Sequence, residues 1–388
     1  MNEIAELGKF FIAIVIRTTL NIIFRIMPLH KKRILFDSFI GKQYSCNPRA
    51  LYEYMLKYFP SDYEFIWAFK EPSKYSYLKN NGRTLICKYR SLKHYYYSST
   101  SSIIIFNFTR TNELPYRNKQ IRLQTWHGGG CYKKTGQSIQ YNSKIHNWIL
   151  SQKSKIDSTH FISSSKYFSS EVISGQYKFK GFIFETGMPR NDCFFQPKEM
   201  QTRNRIVRKK YSIKKTDFIV LYAPTFKDRE IKDIELLNFV SLKEVVSQKF
   251  NKNVIIIYRG HHFENKNLNY IPDIDASDYF DMQDLLIAAD MLITDYSSSI
   301  WDFSFTLKPC FLYTPDLDSY QIYRGFDKDI YQWGFPVCKT NKLLQNTIKK
   351  FDQNLYELSM QQHHTDLNSF EKGNACQKIC AFIKNYNE

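Results

Sequence analysis

The sequence predicts an α/β protein with two doubly wound domains, each a parallel sheet that carries helices on both faces. Its 388 residues are too many for one ordinary domain and suit two of roughly 150–200 residues each. Apolar residues make up 43% of the chain and aromatic residues 16%, which excludes a disordered protein. Past residue 33, short β-branched or aromatic runs alternate with helical stretches, a pattern typical of parallel α/β sheets.

Residues 1–30 are predicted to form an interfacial membrane helix. The stretch is apolar, but Arg17 and Arg25 interrupt it before it reaches the ~18–20 clean residues of a spanning helix. It has no small-residue cleavage site, which disfavours a secretory signal. We expect the helix to lie in the membrane plane, with residues 30–33 (HKKR) facing acidic headgroups. A buried first helix and a spanning anchor are the alternatives.

Strand-like runs fill the two domains. In the first half they are RILFDS, YEFIWAF, RTLICK, SIIIFN, IRLQTW, NWILS, HFISS and FIFETG, and in the second half DFIVLYAP, NVIIIYRG, DMLITD and PCFLYTP. A polar, basic segment bounded by Pro189 and Pro197 separates the two sets. The predicted division is a membrane helix at 1–30, an acceptor-side domain at 31–195 and a donor-binding domain at 196–388.

The formal charge of +18 points to an anionic partner: nucleic acid, a membrane face or a phosphate-rich substrate. The 28 Tyr and 31 Phe lie within periodic apolar runs and no RNA-binding signature accompanies them, so we expect no nucleic acid partner. None of the eight cysteines forms a C-x2-C pair, so no zinc site is predicted and a reduced, cytosol-facing compartment is favoured. Asp273 and Asp275 form a D-x-D, which is interpreted as a solvated loop.

Ligands of doubly wound sheets bind beyond the carboxyl ends of the strands, so the loops there are the candidate sites. In QTWHGGGCYKKTG (124–136), His127 can act as a base near neutral pH. Gly128 and Gly129 allow the backbone to cradle an anion, and Lys133 favours phosphate. The alternatives are a flexible glycine turn with an exposed His, or the oxyanion loop of a hydrolase. The latter needs a G-x-S-x-G elbow, which the chain lacks.

Three further loops follow strands of the second half. In VIIIYRGHHF (254–263), Arg259 and His261 project to one side of an extended segment, which favours phosphate binding over a metal. In DMQDLLIAADMLITDYSSSIWDFSF (281–305), Asp281 is predicted to begin a helix that runs through Ala289. The serines there (Ser297, Ser298 and Ser299) precede a second helix, whose free N–H groups could bind an anion; alternatively, one of them only caps that helix. In DSYQIYRGFDKDIY (318–331), Arg324 could reach the same phosphates.

Taken in order, the segments resemble the CDP-glycerol glycerophosphotransferase family, whose members build teichoic acids and related glycerol-phosphate polymers. The matching pieces are TWHGGGCYKKTG, SSSKYFSSEV, FETGMPRND, VLYAPTFKD, YRGHH, LLIAADMLITDYSSSIWDF, YRGF and GNACQKIC, spread over most of residues 120–386. Thr225 in VLYAPTFKD and Asp295 in TDYSSS are further site candidates. Two pieces depart from the usual pattern: WHGGG stands where many relatives have WHGTP, and His262 stands where Pro often follows the R-x-H pair.

The resemblance implies a GT-B-like fold of two Rossmann-type domains, attached peripherally to the cytoplasmic face of the cell membrane. It implies transfer of glycerol phosphate, or a related alcohol phosphate, from CDP-glycerol to a hydroxyl of a lipid-linked or polymeric glycan, with release of CMP. Such an enzyme would serve teichoic acid or capsular polysaccharide synthesis. His127 would be the base, Arg259 and His261 would bind or activate the donor pyrophosphate, and the three serines with Arg324 would bind phosphate.

Two other functions remain as alternatives. One is a nucleotide-sugar glycosyltransferase of cell-surface glycan synthesis on the same GT-B scaffold. The other is a basic membrane- or nucleic-acid-binding protein without activity, which predicts salt-sensitive binding and no turnover. No cofactor is predicted, and the pattern leaves a divalent metal requirement and the oligomeric state open.

Overall fold

The structure is a computed structural model that describes residues 3–130, 132–138, 143–156, 158–225, 235–260 and 272–387. The chain divides into two compact units. The first comprises Met1–His127, Thr135–Asp192 and Phe370–Glu388, and the second comprises Gly128–Lys134 and Cys193–Ser369.

The first unit contains a parallel sheet of seven strands in the order β3-β2-β1-β4-β5-β6-β7. The strands are β1 (His30–Asp37), β2 (Glu64–Phe69), β3 (Thr84–Lys88), β4 (Ser101–Phe106), β5 (Ile121–Gln124), β6 (His160–Ser163) and β7 (Phe182–Glu185). The α-helices here are α1 (Glu3–Phe24), α2 (Cys46–Tyr58), α3 (Leu92–Thr100) and α4 (Lys144–Ile156).

The second unit contains a parallel sheet of six strands in the order β10-β9-β8-β11-β12-β13. Its strands are β8 (Phe218–Tyr222), β9 (Val254–Tyr258), β10 (Ile274–Asp275), β11 (Met291–Thr294), β12 (Cys310–Tyr313) and β13 (Val337–Cys338). Its helices are α5 (Pro197–Lys210), α6 (Phe239–Phe250), α7 (Met282–Ala288), α8 (Ser299–Ser304), α9 (Leu317–Tyr323), α10 (Asn341–Lys349) and α11 (Gln353–Asp366). Helix α12 (Ala375–Asn387) closes the chain and belongs to the first unit.

Both sheets are doubly wound, as predicted, and the strand pattern explains why. Every residue of the central strands β4, β11 and β12 is buried, because helices cover both faces of a parallel sheet and leave no strand face for water. The strand order reverses between β1 and β4 in the first sheet and between β8 and β11 in the second. Such reversals open a crevice beyond the carboxyl ends of the strands, where doubly wound sheets bind ligands.

Two predictions about the fold differ from the structure. The run NWILS, predicted as a strand, lies inside helix α4, because its flanking residues extend the segment to 13 residues with a helical apolar period. The predicted second domain ran from 196 to 388, whereas Phe370–Glu388 groups with the first unit. One contact ties this segment to the first unit. The Asp192 carboxylate accepts the N–H groups of Ala375 and Cys376, at 2.9 and 2.8 Å, at the start of α12.

Helix α1 packs against the first unit along one face and exposes the other. On the packed face, Glu6 meets His146 at 2.7 Å, Phe10 contacts the Trp148 ring, and the Asn21 side chain accepts the Tyr116 N–H at 3.0 Å. The exposed face carries large apolar side chains: Ile4, Phe11, Ile12, Val15, Ile16, Ile22 and Ile23. Residues Ile4–Phe24 are long and apolar enough to cross a membrane by length and composition.

The basic stretch after α1 is only partly as predicted. Lys31 and Lys32 are exposed at the start of β1, but Arg33 is buried and does not face solvent. Its guanidinium pairs with Glu64 at 2.5 Å and donates to the Thr100 hydroxyl at 3.0 Å. A buried arginine needs such partners, so Arg33 belongs to the core and not to a headgroup-binding surface.

Candidate active site

His127 lies just beyond strand β5, next to the strand-order reversal of the first sheet. Its ring is half-buried and packs among Phe39, Phe108 and Trp126, with ring centroids 5.6, 5.3 and 4.5 Å away. Its Nδ1 lies 2.8 Å from the main-chain carbonyl oxygen of Asn107, the first residue after β4. The site therefore forms because β4 and β5 are neighbours whose carboxyl ends meet at one edge.

The contact with Asn107 fixes the proton on the neutral imidazole. A carbonyl oxygen can only accept a hydrogen bond, so Nδ1 is the nitrogen that carries the hydrogen. Nε2 then carries the lone pair. The hydrogen bond at Nδ1 orients the ring and leaves Nε2 as the nitrogen that can take up a proton.

A strained turn delivers His127 to this position. Trp126 has φ +54°, which is uncommon for an aromatic residue and costs of order 1–3 kcal/mol. Asn47 is fully buried and its amide donates to the carbonyl oxygens of Thr125 and Trp126 at 2.9 and 3.0 Å. Arg190 donates to the His127 carbonyl oxygen at 2.8 Å. Asn47 and Arg190 thus hold three consecutive carbonyl groups of the turn.

We expect the Asn47→Ala variant to lose activity through kcat, because the freed turn no longer fixes the His127 ring. A misplacement of about 1 Å can lower the rate up to about 10²-fold. Steady-state kinetics would show the fall in kcat with the donor KM little changed. Asn81→Ala is the control, since Asn81 bonds Tyr52 and Thr84 elsewhere in the same unit. A folded Asn47→Ala protein with normal kcat would contradict the assignment.

Residues that the sequence reasoning missed also stand at this edge. Asp37 ends β1, and its Oδ1 accepts the Gly41 N–H at 2.7 Å. The Asn107 side chain is fully buried; its Oδ1 accepts the Phe39 N–H, while its Nδ2 has no partner among the described residues. Their positions in the sequence could have identified them. Each is a polar residue at the end of a buried apolar run, and the two runs form the strands that flank the reversal.

Burial raises the pKa of Asp37 to about 6, although the Gly41 N–H and the charges of Arg110 and Lys70 oppose the rise. The folded protein therefore binds a proton at Asp37 more tightly than the unfolded chain, whose value is near 3.8. The contribution of Asp37 to the free energy of unfolding then falls as pH rises from about 4 to about 6.

The Asp37→Asn variant is expected to lack this fall in stability. Relative to the parent protein, its free energy of unfolding should rise between pH 4 and pH 6.5 by up to about 3 kcal/mol. Urea denaturation at several pH values measures the difference. Asp318→Asn, which removes a carboxylate with an 85% exposed side chain, should give a curve parallel to the parent. Parallel curves for Asp37→Asn as well would refute the assignment.

In the second unit, Thr225 and Asp295 meet at the other strand-order reversal. Asp295 follows β11 and is buried; its two carboxylate oxygens accept the Thr225 N–H at 3.0 and 3.1 Å. Thr225 lies three residues beyond β8, so this contact closes the loop across the reversal. The Thr225 hydroxyl oxygen is buried and has no hydrogen-bond partner among the described residues. A donor is thus placed where a ligand of this sheet is expected.

The three serines follow the same strand. Helix α8 begins at Ser299, one residue earlier than the sequence predicted, and spans six residues. Ser297 Oγ accepts from the Ser299 N–H at 3.3 Å and from its hydroxyl at 2.9 Å. The Ser298 side chain makes no capping hydrogen bond. Ser297 therefore accepts two hydrogen bonds from the first residue of the helix, while Ser298 is the N-cap residue and stays half-exposed.

Arg259 lies at the end of β9, where its N–H donates to the Tyr222 carbonyl oxygen at 2.9 Å. Its Nη1 lies 3.2 Å from Met282 Sδ at the start of α7. Burial lowers the pKa of Arg259, and the nearby Asp281 carboxylate opposes that. Its predicted partner His261 and the adjacent His262 lie outside the described residues, so the R-x-H pair stays a prediction.

The glycines after His127 pack tightly on aromatic rings of the second unit. A Cβ on Gly129 would lie 2.0 Å from Cδ1 of the buried Trp301, and Gly130 has φ +82°. Tyr132 is buried, and its hydroxyl lies 2.8 Å from His363 Nε2. The described residues give the glycine run this packing role, and its predicted anion cradle remains a prediction.

Lys133 and Arg324 are brought close together. Lys133 forms an isolated antiparallel bridge with Phe326, and the Lys134 N–H donates to the Gly325 carbonyl oxygen at 3.4 Å. Arg324 is half-buried directly before Gly325, whose φ of +73° turns the chain. Both residues thus stand on paired segments of the second unit, and their binding of phosphate stays a prediction.

The described residues contain no group of three or more His, Cys, Asp or Glu side chains placed to hold a metal ion. Asp273, in the D-x-D, pairs with Lys243 at 2.7 Å. Asp275 accepts the Ser277 hydroxyl at 2.6 Å.

Comparison with known proteins decides the family. A family model described as CDP-Glycerol:Poly(glycerophosphate) glycerophosphotransferase matches residues 19–385. The chain belongs to this family. The predicted resemblance is thereby confirmed, and the protein is an enzyme of the CDP-glycerol glycerophosphotransferase family.

Relatives within the family align along most of the chain. It is 30% identical to a teichoic acid poly(glycerol phosphate) polymerase of Bacillus spizizenii over 386 residues, covering 92% of this chain and 94% of that protein. It is 29% identical to a teichoic acid glycerol-phosphate transferase of Staphylococcus aureus over 368 residues, covering 91% and 93%.

Among solved structures, the wall teichoic acid polymerase TagF matches with a TM-score of 0.80 at 24% identity, covering 100% of this chain and 98% of that one. This likeness confirms the predicted α/β fold with two Rossmann-type sheets of the GT-B kind.

Proposed function

We propose that this enzyme transfers glycerol phosphate from CDP-glycerol to a hydroxyl group of a teichoic acid acceptor, with release of CMP. The observation that carries the proposal is the hydrogen bond of His127 Nδ1 to the Asn107 carbonyl oxygen, which leaves Nε2 as a base. The acceptor oxygen forms a bond to the β-phosphorus while the bond between that phosphorus and the CMP oxygen breaks. The hydroxyl proton passes to His127 Nε2, and CMP leaves with the electron pair.

The second unit supplies groups suited to the donor phosphates. Thr225 offers a buried hydroxyl with no hydrogen-bond partner among the described residues, Ser298 offers a half-exposed hydroxyl, and Arg259, Lys133 and Arg324 offer positive charge. Such fixed donors and cations stabilise charge on a transferred phosphoryl group without covalent chemistry.

The names of the aligned relatives favour a teichoic acid acceptor over a capsular polysaccharide, since both are teichoic acid enzymes. The family match favours a CDP-alcohol donor over the nucleotide sugar of the alternative glycosyltransferase. The acceptor end is expected to be a lipid-linked glycan or the growing polymer.

Donor specificity tests the proposal directly. Purified enzyme is incubated with a lipid-linked disaccharide that bears one glycerol phosphate, and with CDP-glycerol, CDP-ribitol, UDP-glucose or UDP-N-acetylglucosamine. We expect CMP release and a mass gain of one glycerol phosphate with CDP-glycerol. Turnover with a UDP-sugar alone would overturn the proposal. Turnover with CDP-ribitol alone would replace glycerol by ribitol.

We further propose that α1 attaches the enzyme in the plane of the membrane on the cytoplasmic face. The helix is held against the first unit from Glu6 to Phe24, where the Arg117 guanidinium donates to the Phe24 carbonyl oxygen. These contacts hold both ends of the helix to the first unit, which favours a position in the membrane plane over a span. Its exposed apolar face suits insertion between lipid headgroups, with Lys31 and Lys32 near anionic lipids.

The triple variant Phe11→Glu, Val15→Glu and Ile22→Glu should lose binding to vesicles of phosphatidylglycerol. Each substitution places a carboxylate on the exposed face of α1; of the three residues, Phe11 also contacts the packed face, through the Trp148 ring 6.4 Å away. Co-sedimentation measures the loss. Ile322→Glu, at an 88% exposed position of the second unit, is the control and should bind like the parent. Undiminished binding of the triple variant would refute attachment through this face.

A further inference from the structure

A basic segment near the start of the second unit is not used by the proposed transfer reaction. Residues 203–215 (RNRIVRKKYSIKK) contain seven Lys or Arg and no Asp or Glu. The segment covers the end of α5 and the loop before β8. One of its cations is committed to the core: Arg203 pairs with Glu199 and Asp284, each at 2.7 Å.

Two further cations are held by hydrogen bonds to main-chain carbonyl oxygens, and one of them, Arg208, also pairs with a carboxylate. Arg208 donates to the carbonyl oxygen of Lys214 at 2.7 Å and to the Asp290 carboxylate at 3.1 Å. Lys308, before β12, donates from Nζ to the carbonyl oxygens of Ile287 and Ala289 at 3.0 and 2.5 Å. These bonds fix the positions of both side chains, and both residues are half-buried.

Three exposed cations surround these two. Arg205, Lys209 and Lys215 have no hydrogen-bond or ion-pair partner for their side chains in the described part of the chain. Arg205 and Lys209 stand four residues apart on α5 and so share one helix face. Because no carboxylate among the described residues pairs with them, they can bind an anion from outside.

All five cations line one groove of about 1010 Å³. Its lining residues are Met200, Gln201, Thr202, Asn204, Arg205, Arg208, Lys209, Ser212, Ile213, Lys215, Ile287 and Lys308. None of them is acidic. The groove is therefore concave, positively charged and partly apolar, through Met200, Ile213 and Ile287.

The groove is separate from the donor site of the same unit. Lys215 precedes β8 by three residues and Lys308 precedes β12 by two, so both lie at the amino edge of the second sheet. Thr225, Asp295 and Ser298 lie beyond the carboxyl ends of the strands, at the opposite edge. A five-residue strand such as β8 separates the two edges by roughly 17 Å.

We propose that this groove binds the phosphodiester backbone of a poly(glycerol phosphate) chain, as a second site that retains the polymer near the enzyme. The proposal rests on the proposed function for the identity of the polymer. Successive phosphodiester charges match a row of fixed and free cations, and the methylene groups of glycerol match the apolar floor. A recessed groove suits a linear chain better than a flat bilayer surface, where cations must protrude to reach headgroups.

Direct binding tests the groove without turnover. A fluorescently labelled decamer of glycerol phosphate is titrated with the full-length enzyme, and anisotropy gives Kd at several salt concentrations. The variant Arg205→Glu, Lys209→Glu and Lys215→Glu should bind at least about tenfold more weakly, with a shallower dependence of log Kd on log salt. The single variant Lys209→Glu is measured beside the single variant Lys198→Glu as its control. Lys198→Glu makes the same charge change at an exposed position of α5 outside the groove.

The outcomes separate this proposal from the proposed function. The triple variant should release CMP from CDP-glycerol at the parent rate with an acceptor that bears one glycerol phosphate. With a long polymeric acceptor its KM should rise. Three results would overturn the groove assignment. The triple variant could bind the decamer as the parent does, or lose only its binding to phosphatidylglycerol vesicles. The single variants Lys198→Glu and Lys209→Glu could also lose decamer binding equally. Specific decamer binding by an enzyme that never releases CMP would overturn the proposed function and leave the groove.

Discussion

Replacement of His127 by Asn is expected to lower kcat by about 10²–10⁴-fold, because the acceptor hydroxyl loses the base that takes its proton. In the structure the ring is fixed by the Asn107 carbonyl oxygen at Nδ1, and Nε2 is the nitrogen that we propose accepts the proton. Substrate binding should change less, since the donor phosphates are assigned to residues of the second unit. CMP release from CDP-glycerol gives kcat and KM in one assay.

His160 supplies the matched control for this experiment. It is the first residue of β6, at the amino edge of the same sheet and thus at the opposite edge from His127. Its ring packs against Phe182, Phe184 and Phe382. A folded His160→Asn protein should keep its activity. If a folded His127→Asn enzyme turned over at the parent rate, another group would have to be the base.

The Gly129→Ala substitution is expected to destabilise the second unit by about 1–3 kcal/mol or more. The added methyl group would lie 2.0 Å from Cδ1 and 2.4 Å from Nε1 of Trp301, and this ring is fully buried. Either the ring or the loop must move. Because Gly129 is two residues from His127, a shifted loop should also lower activity. Thermal unfolding and CMP release measure the two effects.

Gly8→Ala is the control, because a Cβ at Gly8 meets nothing within 4 Å and the residue lies inside helix α1. That change should stabilise the helix by up to about 1 kcal/mol. A double-mutant cycle with Trp301→Leu isolates the contact: Gly129→Ala should cost less when the ring is absent. Equal costs in both backgrounds would show that the ring is not the obstacle.

Local sequence patterns predicted much of this enzyme. Eleven of the twelve predicted strand runs form strands, because each is a short β-branched or aromatic run with polar ends. The start of α7 was predicted from Asp281, whose side chain accepts the Gln283 N–H at 3.0 Å. The loops proposed for chemistry do follow the strands, since parallel strands place their carboxyl ends at one edge. NWILS failed because a five-residue apolar run fits strand and helix alike.

The sequence by itself determined the strands, the loops that follow them and the family, since these depend on residues close together in the chain. Only the tertiary structure decided which groups meet. Asn107 and His127 are 20 residues apart, and Asn47 and the Trp126 carbonyl group 79. Such contacts depend on which strands become neighbours, and no local pattern encodes that choice. His127 was therefore predictable as a candidate base, while the carbonyl that fixes its proton and the amide that holds its turn were not.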